Sequence, residues 1–155
     1  MYKKILVALE NGRADETLLP HIAELAKLLG SELLLVHVAD GWAARNFDQL
    51  RLAESEEMRA DRAYLADMAR QLELKGLVVT TELALGNPPT EIVRTAQAHA
   101  CDLIAMTSHG HKLVGDILLG STIDKVRHNT STPLLVVRAA AVGATREPFP
   151  AALKS

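Results

Sequence analysis

Five short apolar runs, separated by stretches with helical spacing, organise this chain. Ile5-Leu6-Val7-Ala8-Leu9 and Leu33-Leu34-Leu35-Val36-His37-Val38 are nearly unbroken, as strands covered on both faces should be. Leu103-Ile104-Ala105-Met106 and Leu134-Leu135-Val136-Val137 read the same way. The third run, Leu77 to Leu85, alternates instead. Leu77, Val79, Leu83 and Leu85 share one face, and Thr80 and Glu82 take the other, which predicts an edge strand with a wetter side.

Helices fill the intervals. Leu18, Ile22, Leu25 and Leu29 form one apolar stripe, with Gly30 placed to cap its end. A charged stretch from about Leu52 to Leu74 turns Leu65, Met68 and Leu72 inward and stops at Lys75-Gly76. Its Glu54, Glu56 and Glu57 with Arg51, Arg59 and Arg62 read as a solvated face with i,i+3 and i,i+4 pairs. Pro89 suits the first turn of a third helix, with Ile92, Val93 and Ala96 facing the core. A fourth helix is predicted to begin near Ser121, where Ser121-Thr122-Ile123-Asp124 reads as a capping box, and to stop before Pro133. Strand-helix alternation of this kind specifies an α/β fold. Its parallel sheet has right-handed crossovers and helices on both faces, making three α/β/α layers. Residues 1–138 make one domain. Residues 139–155 lose periodicity, carry Pro148 and Pro150, and are expected to form a flexible tail.

Composition then removes several classes of function. A net charge of -2 supplies no basic field for nucleic acid or an anionic membrane, and 3% aromatic residues leave few base-stacking platforms. The single cysteine, Cys101, just before an apolar run, reads as a small buried hydrophobe. The apolar run after Lys3-Lys4 ends at Glu10, too short for a signal peptide, and no stretch approaches a membrane span. The expected compartment is the cytoplasm.

In parallel sheets of this type, ligands sit beyond the carboxyl ends of the strands. The segments there are Glu10-Asn11-Gly12, Val38-Ala39-Asp40, Gly86-Asn87-Pro88 and the residues from Thr107 onward. The last is the most informative: Thr107-Ser108-His109-Gly110, nine residues, then Gly120-Ser121-Thr122. Glycine lets backbone amides approach a phosphate, and a helix start adds unpaired N–H groups and a positive dipole end. Singly, Gly110 is a turn former, Gly120 a packing glycine and Ser121 an N-cap. Together they suggest an amide-lined phosphate cradle.

With these segments the chain resembles the universal stress protein family over about Met1 to Arg138. The resemblance is carried by Tyr2-Lys3-Lys4-Ile5-Leu6-Val7-Ala8, Leu35-Val36-His37-Val38, Gly86-Asn87-Pro88, Ser108-His109-Gly110 with Gly120-Ser121 nine residues on, and Pro133-Leu134-Leu135-Val136-Val137. The ATP-binding branch of that family uses Gly-x-x-Gly, nine residues, then Gly-Ser or Gly-Thr. The resemblance implies a Rossmann-like, adenine nucleotide alpha hydrolase-like sheet of order 3-2-1-4-5. It implies ATP, with Mg2+, as the ligand. Gly110, Gly120, Ser121 and Thr122 would hold phosphates and ribose, Val38 and Met106 would meet the adenine, and Ala8, Leu9 and Glu10 would line the pocket at the end of strand one. Thr107 and His111 complete the candidate set, His111 with Lys112 as donors to phosphate oxygens. Two positions depart from the family pattern: Thr107 replaces the first glycine, and Glu10 stands where Asp is common.

Other motifs fail on their chemistry. Asp116 and Ile117 stand where a Walker A loop needs Lys and Ser or Thr, and no Gly-x-Gly-x-x-Gly follows strand one. A phosphoreceiver's strand-three Asp and strand-five Lys are replaced by Leu85-Gly86 and Arg138. His109-Gly110-His111 has no accompanying Cys, Asp or Glu cluster to make a metal site. His37 is expected to pack in the core. No nucleophile-base-acid set is legible, so no catalytic residue is assigned; a slow ATPase, or phosphate transfer to Ser121 or Thr122, is the enzymatic alternative. The leading expectation is an ATP-binding stress or signalling protein whose nucleotide occupancy biases a surface read by a protein partner. The alternative is a nucleotide-independent dimeric interaction module. Under either reading the apolar last strand, Leu134 to Val137, is an edge that invites a second copy, and the family resemblance implies such a homodimer. Gly41 to Leu50, with Trp42 and Phe47, is a candidate lid and Trp42 a candidate reporter of binding.

Overall fold

The computed structural model describes residues 1–39, 56–109 and 116–140, with the backbone alone described at 109 and 116–121. Strands and helices alternate strictly: β1 (Lys4–Ala8), α1 (Asp15–Leu29), β2 (Glu32–Ala39), α2 (Glu56–Glu73), β3 (Val79–Leu85), α3 (Pro88–Ala98), β4 (Leu103–His109), α4 (Asp116–Asn129) and β5 (Leu134–Ala139). Every pairing is parallel, and the strand order is β3-β2-β1-β4-β5. The alternating strand β3 lies at one edge as its sequence predicts, and β5, apolar from Leu134 to Val137, lies at the other.

Because successive strand residues face opposite ways, the three central strands feed two cores. Ile5, Val7, Leu33, Leu35, Leu103 and Ala105 meet Leu18 and Ile22 of α1 and Leu65 and Leu72 of α2. Leu6, Leu34, Val36, Ile104 and Met106 meet Ile92, Val93 and Ala96 of α3 and Val126 of α4. Strands buried on both faces need apolar residues at every position, which explains their unbroken runs. Cys101 is buried in the second core, and burial pushes its thiol pKa up, keeping it protonated and inert.

The helix ends follow local chemistry. Gly30 closes α1 in the left-handed region at φ 66°, its N–H reaching the Ala26 carbonyl. Gly86, at φ 134°, turns the chain out of β3, and Asn87 in extended conformation leads Pro88 into the first position of α3. At the opposite end of the sheet Asp102 accepts the N–H groups of Lys3 and Lys4 at 2.9 and 3.0 Å, tying the start of β1 to that of β4. Burial alone would raise its pKa, but these backbone donors outweigh it and hold the carboxyl below its ordinary value.

One boundary differs from expectation. α4 begins at Asp116, more than a turn before Ser121, so the Ser121-to-Asp124 box lies inside a helix and is not its start. Ile117-Leu118-Leu119 are residues that a helix accommodates, so the helix runs ahead of the later signal. Among the described residues, no helix is long and apolar enough to cross a membrane. The tail from 141 on, the Gly41–Leu50 segment with Trp42, and Lys112 lie outside the described residues.

Candidate nucleotide site

The chain leaves β1 toward β2 and β3 on one side and returns at β4 and β5 on the other, so the crossovers diverge above the β1/β4 boundary. A cavity of about 380 Å³ opens there. Its floor is Ala8, Leu9, Glu10, Val36, Val38, Met106 and Thr107 from three strand ends; its walls are Asn87, Pro88, Pro89 and Ile92 on one side and Thr122, Ile123 and Lys125 on the other. Its volume falls at the lower end of the range of small-molecule pockets.

Each strand end contributes for a local reason. Beyond β1 the chain cannot continue as a strand, because Asn11 adopts the left-handed conformation at φ 56°. The turn is held by Asp15, only 1% exposed, which accepts Glu10 N–H at 2.9 Å, Gly12 N–H at 3.3 Å and the Tyr64 hydroxyl at 2.9 Å. Glu10 is thereby fixed at the cavity floor. β4 runs further than its apolar core, to His109, with Thr107 paired to Val137 of β5. Thr107 is consequently a strand residue, 4% exposed, and its hydroxyl donates to Glu10 Oε1 at 3.3 Å. The two departures from the family pattern therefore touch each other.

His37 does not pack in the core as expected. It is half-buried beside the cavity, with Nδ1 2.9 Å from the Leu9 carbonyl and Nε2 3.7 Å from Asp61 Oδ2. A carbonyl only accepts, so Nδ1 carries the proton. Asp61 also accepts the Asn11 side-chain amide at 2.7 Å, joining the β1 turn to α2. A polar helix residue, Asp61, faces this position of β2, which periodicity alone does not reveal.

Of the residues expected at the site, Ala8, Leu9, Glu10, Val38, Met106, Thr107 and Thr122 line this one cavity. Gly110 and His111 lie outside the described residues. Gly120 and Ser121 are backbone positions within α4, where amides bond to carbonyls four residues back, so their N–H groups are used in the helix ladder. The free amides expected there are not free. Ile92, Pro89, Ile123 and Lys125 were not expected at the site. Lys125 could have been found from its i,i+3 spacing to Thr122, which puts both on one helix face. Among the described residues no group of three or more His, Cys, Asp or Glu could hold a metal ion.

A model of the universal stress protein family matches residues 1–138. The chain belongs to that family. The universal stress protein MJ0577 of Methanocaldococcus jannaschii is 29% identical over 158 aligned positions, which cover 89% of this chain and 96% of that protein. Its solved structure superimposes with a TM-score of 0.74 at 30% identity, covering 91% of this chain and 99% of that one. Two more distant universal stress protein structures share the fold. One, in complex with cAMP, is 16% identical with a TM-score of 0.66 and covers 90% of this chain and 98% of that one. The other, from Archaeoglobus fulgidus in complex with dAMP, is 22% identical with a TM-score of 0.64 and covers 87% and 97%. These family members have the same three-layer α/β/α architecture with its adenine nucleotide alpha hydrolase-like sheet.

Proposed function

We propose that this universal stress protein binds an adenine nucleotide in the β1/β4 cavity and that occupancy biases a dimeric surface read by a protein partner. The observation that carries the reading is the cavity itself. It opens at the topological switch point of a parallel sheet, with apolar side chains of Val38, Met106 and Ile92 for a planar base and the Glu10 carboxylate as an acceptor for amine or hydroxyl hydrogens. Ala8, Leu9, Thr107 and Thr122 complete the contact set. Two structural relatives holding cAMP and dAMP support the ligand class. ATP with Mg2+ is the form that the family resemblance favours. Homodimerisation through β5 is supported by its apolar edge, where Val136 is 42% exposed.

Calorimetric titration of the purified chain with AMP, and with ATP in the presence and absence of Mg2+, tests the ligand. Saturable heat is expected; its absence at millimolar nucleotide rejects the reading. Sedimentation at micromolar concentration should show a dimer, and a monomer would reject the edge pairing.

A second reading, a nucleotide-independent interaction module of the same fold, is favoured by two observations. Thr107 occupies the position of the family's first glycine with a buried side chain, and the Gly120 and Ser121 amides are engaged in α4. A dimer that recruits its partner equally with and without nucleotide would select it.

A further inference from the structure

A bound phosphate needs positive charge or open N–H groups, and four of the described backbone positions near this cavity do not offer the latter. The amides of Gly120 and Ser121 are committed within α4. The other bordering helix, α3, opens on Pro88 and Pro89, neither of which has an N–H. A helix start that would ordinarily draw an anion is thus reduced to an apolar wall.

Lys125 brings positive charge to the same cavity. It lines the cavity one turn after Thr122, and helical side chains lean toward the helix N-terminus, which carries its ammonium toward the strand ends. Its neighbour Asp124 is engaged by Arg127 at 3.4 Å. No carboxylate among the described residues forms an ion pair with Lys125, whose carbonyl accepts the Asn129 side-chain amide. Glu10, the acid of the cavity floor, is instead tied to Thr107. A flexible, unneutralised ammonium at a cavity wall acts as a point charge, tolerant of where a phosphate oxygen lies.

We propose that Lys125 is the specificity-determining residue through which the cavity reads phosphate charge, so that the site takes phosphorylated nucleosides in preference to free nucleosides. The proposal rests on the nucleotide reading of the cavity.

Calorimetry of the full chain with AMP and with adenosine, for the wild type, Lys125→Gln and Lys125→Arg, tests it. Wild type is expected to favour AMP over adenosine by about tenfold, the scale of one charge-assisted contact. Lys125→Gln should bring that ratio close to one, and Lys125→Arg should keep most of it. In wild type, added salt should weaken AMP and leave adenosine nearly unchanged. Because Lys125 is exposed, its replacement should leave the circular dichroism spectrum intact. An AMP-to-adenosine ratio unchanged in Lys125→Gln, or wild-type AMP affinity indifferent to salt, overturns the role of Lys125 and leaves nucleotide binding standing. No heat with either ligand in wild type overturns the nucleotide reading and this inference with it.

Discussion

Two openings of similar size lie on opposite faces of the sheet, and their chemistry is opposite too. The cleft between α1 and α2, about 480 Å³, includes Asp15 and Tyr64 in its walls; the cavity between α3 and α4, about 380 Å³, includes Glu10, Thr122 and Lys125. On the first face the buried Asp15 carboxylate and its donors answer one another. Asp15 takes three donors, the Glu10 and Gly12 amides and the Tyr64 hydroxyl, and Asn11 gives its amide to Asp61 while its buried Oδ1 finds no donor among the described residues. Burial, reinforced by Asp15, pushes the Tyr64 pKa well above its ordinary value, so that the hydroxyl remains a donor. On the second face apolar walls stand beside a cation with no acidic partner among the described residues. Volume does not make a binding site. Uncommitted hydrogen-bonding capacity beside apolar surface does.

The sharpest way to break this contrast is to open the committed face. Asp15→Ala should strand the Glu10 and Gly12 amides and the Tyr64 hydroxyl at once. A cost of roughly 3 kcal/mol or more is expected from orphaned buried donors, read as a lowered urea midpoint. Asp15→Asn, which keeps one acceptor, should lose clearly less. Equal losses in the two variants would mean that packing, and not the carboxylate, holds the turn. Filling the open face should act in the reverse sense. Val38→Trp places an indole where the base is proposed to sit, and nucleotide affinity should fall about a hundredfold, near 2.7 kcal/mol. Stability should change by less than about 1 kcal/mol, because the added volume enters a cavity and not a packed core. If Val38→Trp binds nucleotide normally, the ligand sits elsewhere.

The same contrast explains what the sequence could and could not reveal. The double-sided burial of β1, β2 and β4 leaves continuous apolar runs, and Gly30 and Pro88 mark helix ends by backbone constraint, so the layers were legible from residue order alone. The cavity floor was legible because residues at strand ends must gather there in a parallel sheet. The walls were less so. Whether Ile92, Ile123 or Lys125 meets the cavity depends on how two helices are turned against the sheet, and each has an ordinary reading as core or surface. The start of α4 is not legible locally, because Ser121-to-Asp124 has capping chemistry while the helix is already formed from Asp116. His37 reads as core because its neighbours in β2 are apolar, whereas its partners, Leu9 and Asp61, come from a turn and a helix distant in sequence. Local pattern encodes which face a residue takes; it does not encode what waits on that face.

The smallest effect, and the most discriminating, belongs to the pair that joins the two departures from the family pattern. Thr107 gives its hydroxyl to Glu10 across 3.3 Å, a long bond, in a strand position only 4% exposed. Thr107→Val keeps the branched shape suited to a strand and deletes the donor, so stability should fall by about 0.5–1 kcal/mol. If Thr107 acts by steadying Glu10 as an acceptor for the ligand, nucleotide affinity should fall about threefold in the same variant. Thr107→Gly removes the side chain as well and costs roughly a further 0.5–1 kcal/mol from strand flexibility. The sign of its effect on binding decides between the two functional readings. Weaker binding, in step with Thr107→Val, means that the hydroxyl positions Glu10 for a ligand. Tighter binding than wild type means that the threonine side chain obstructs the cavity, as a nucleotide-independent module would allow.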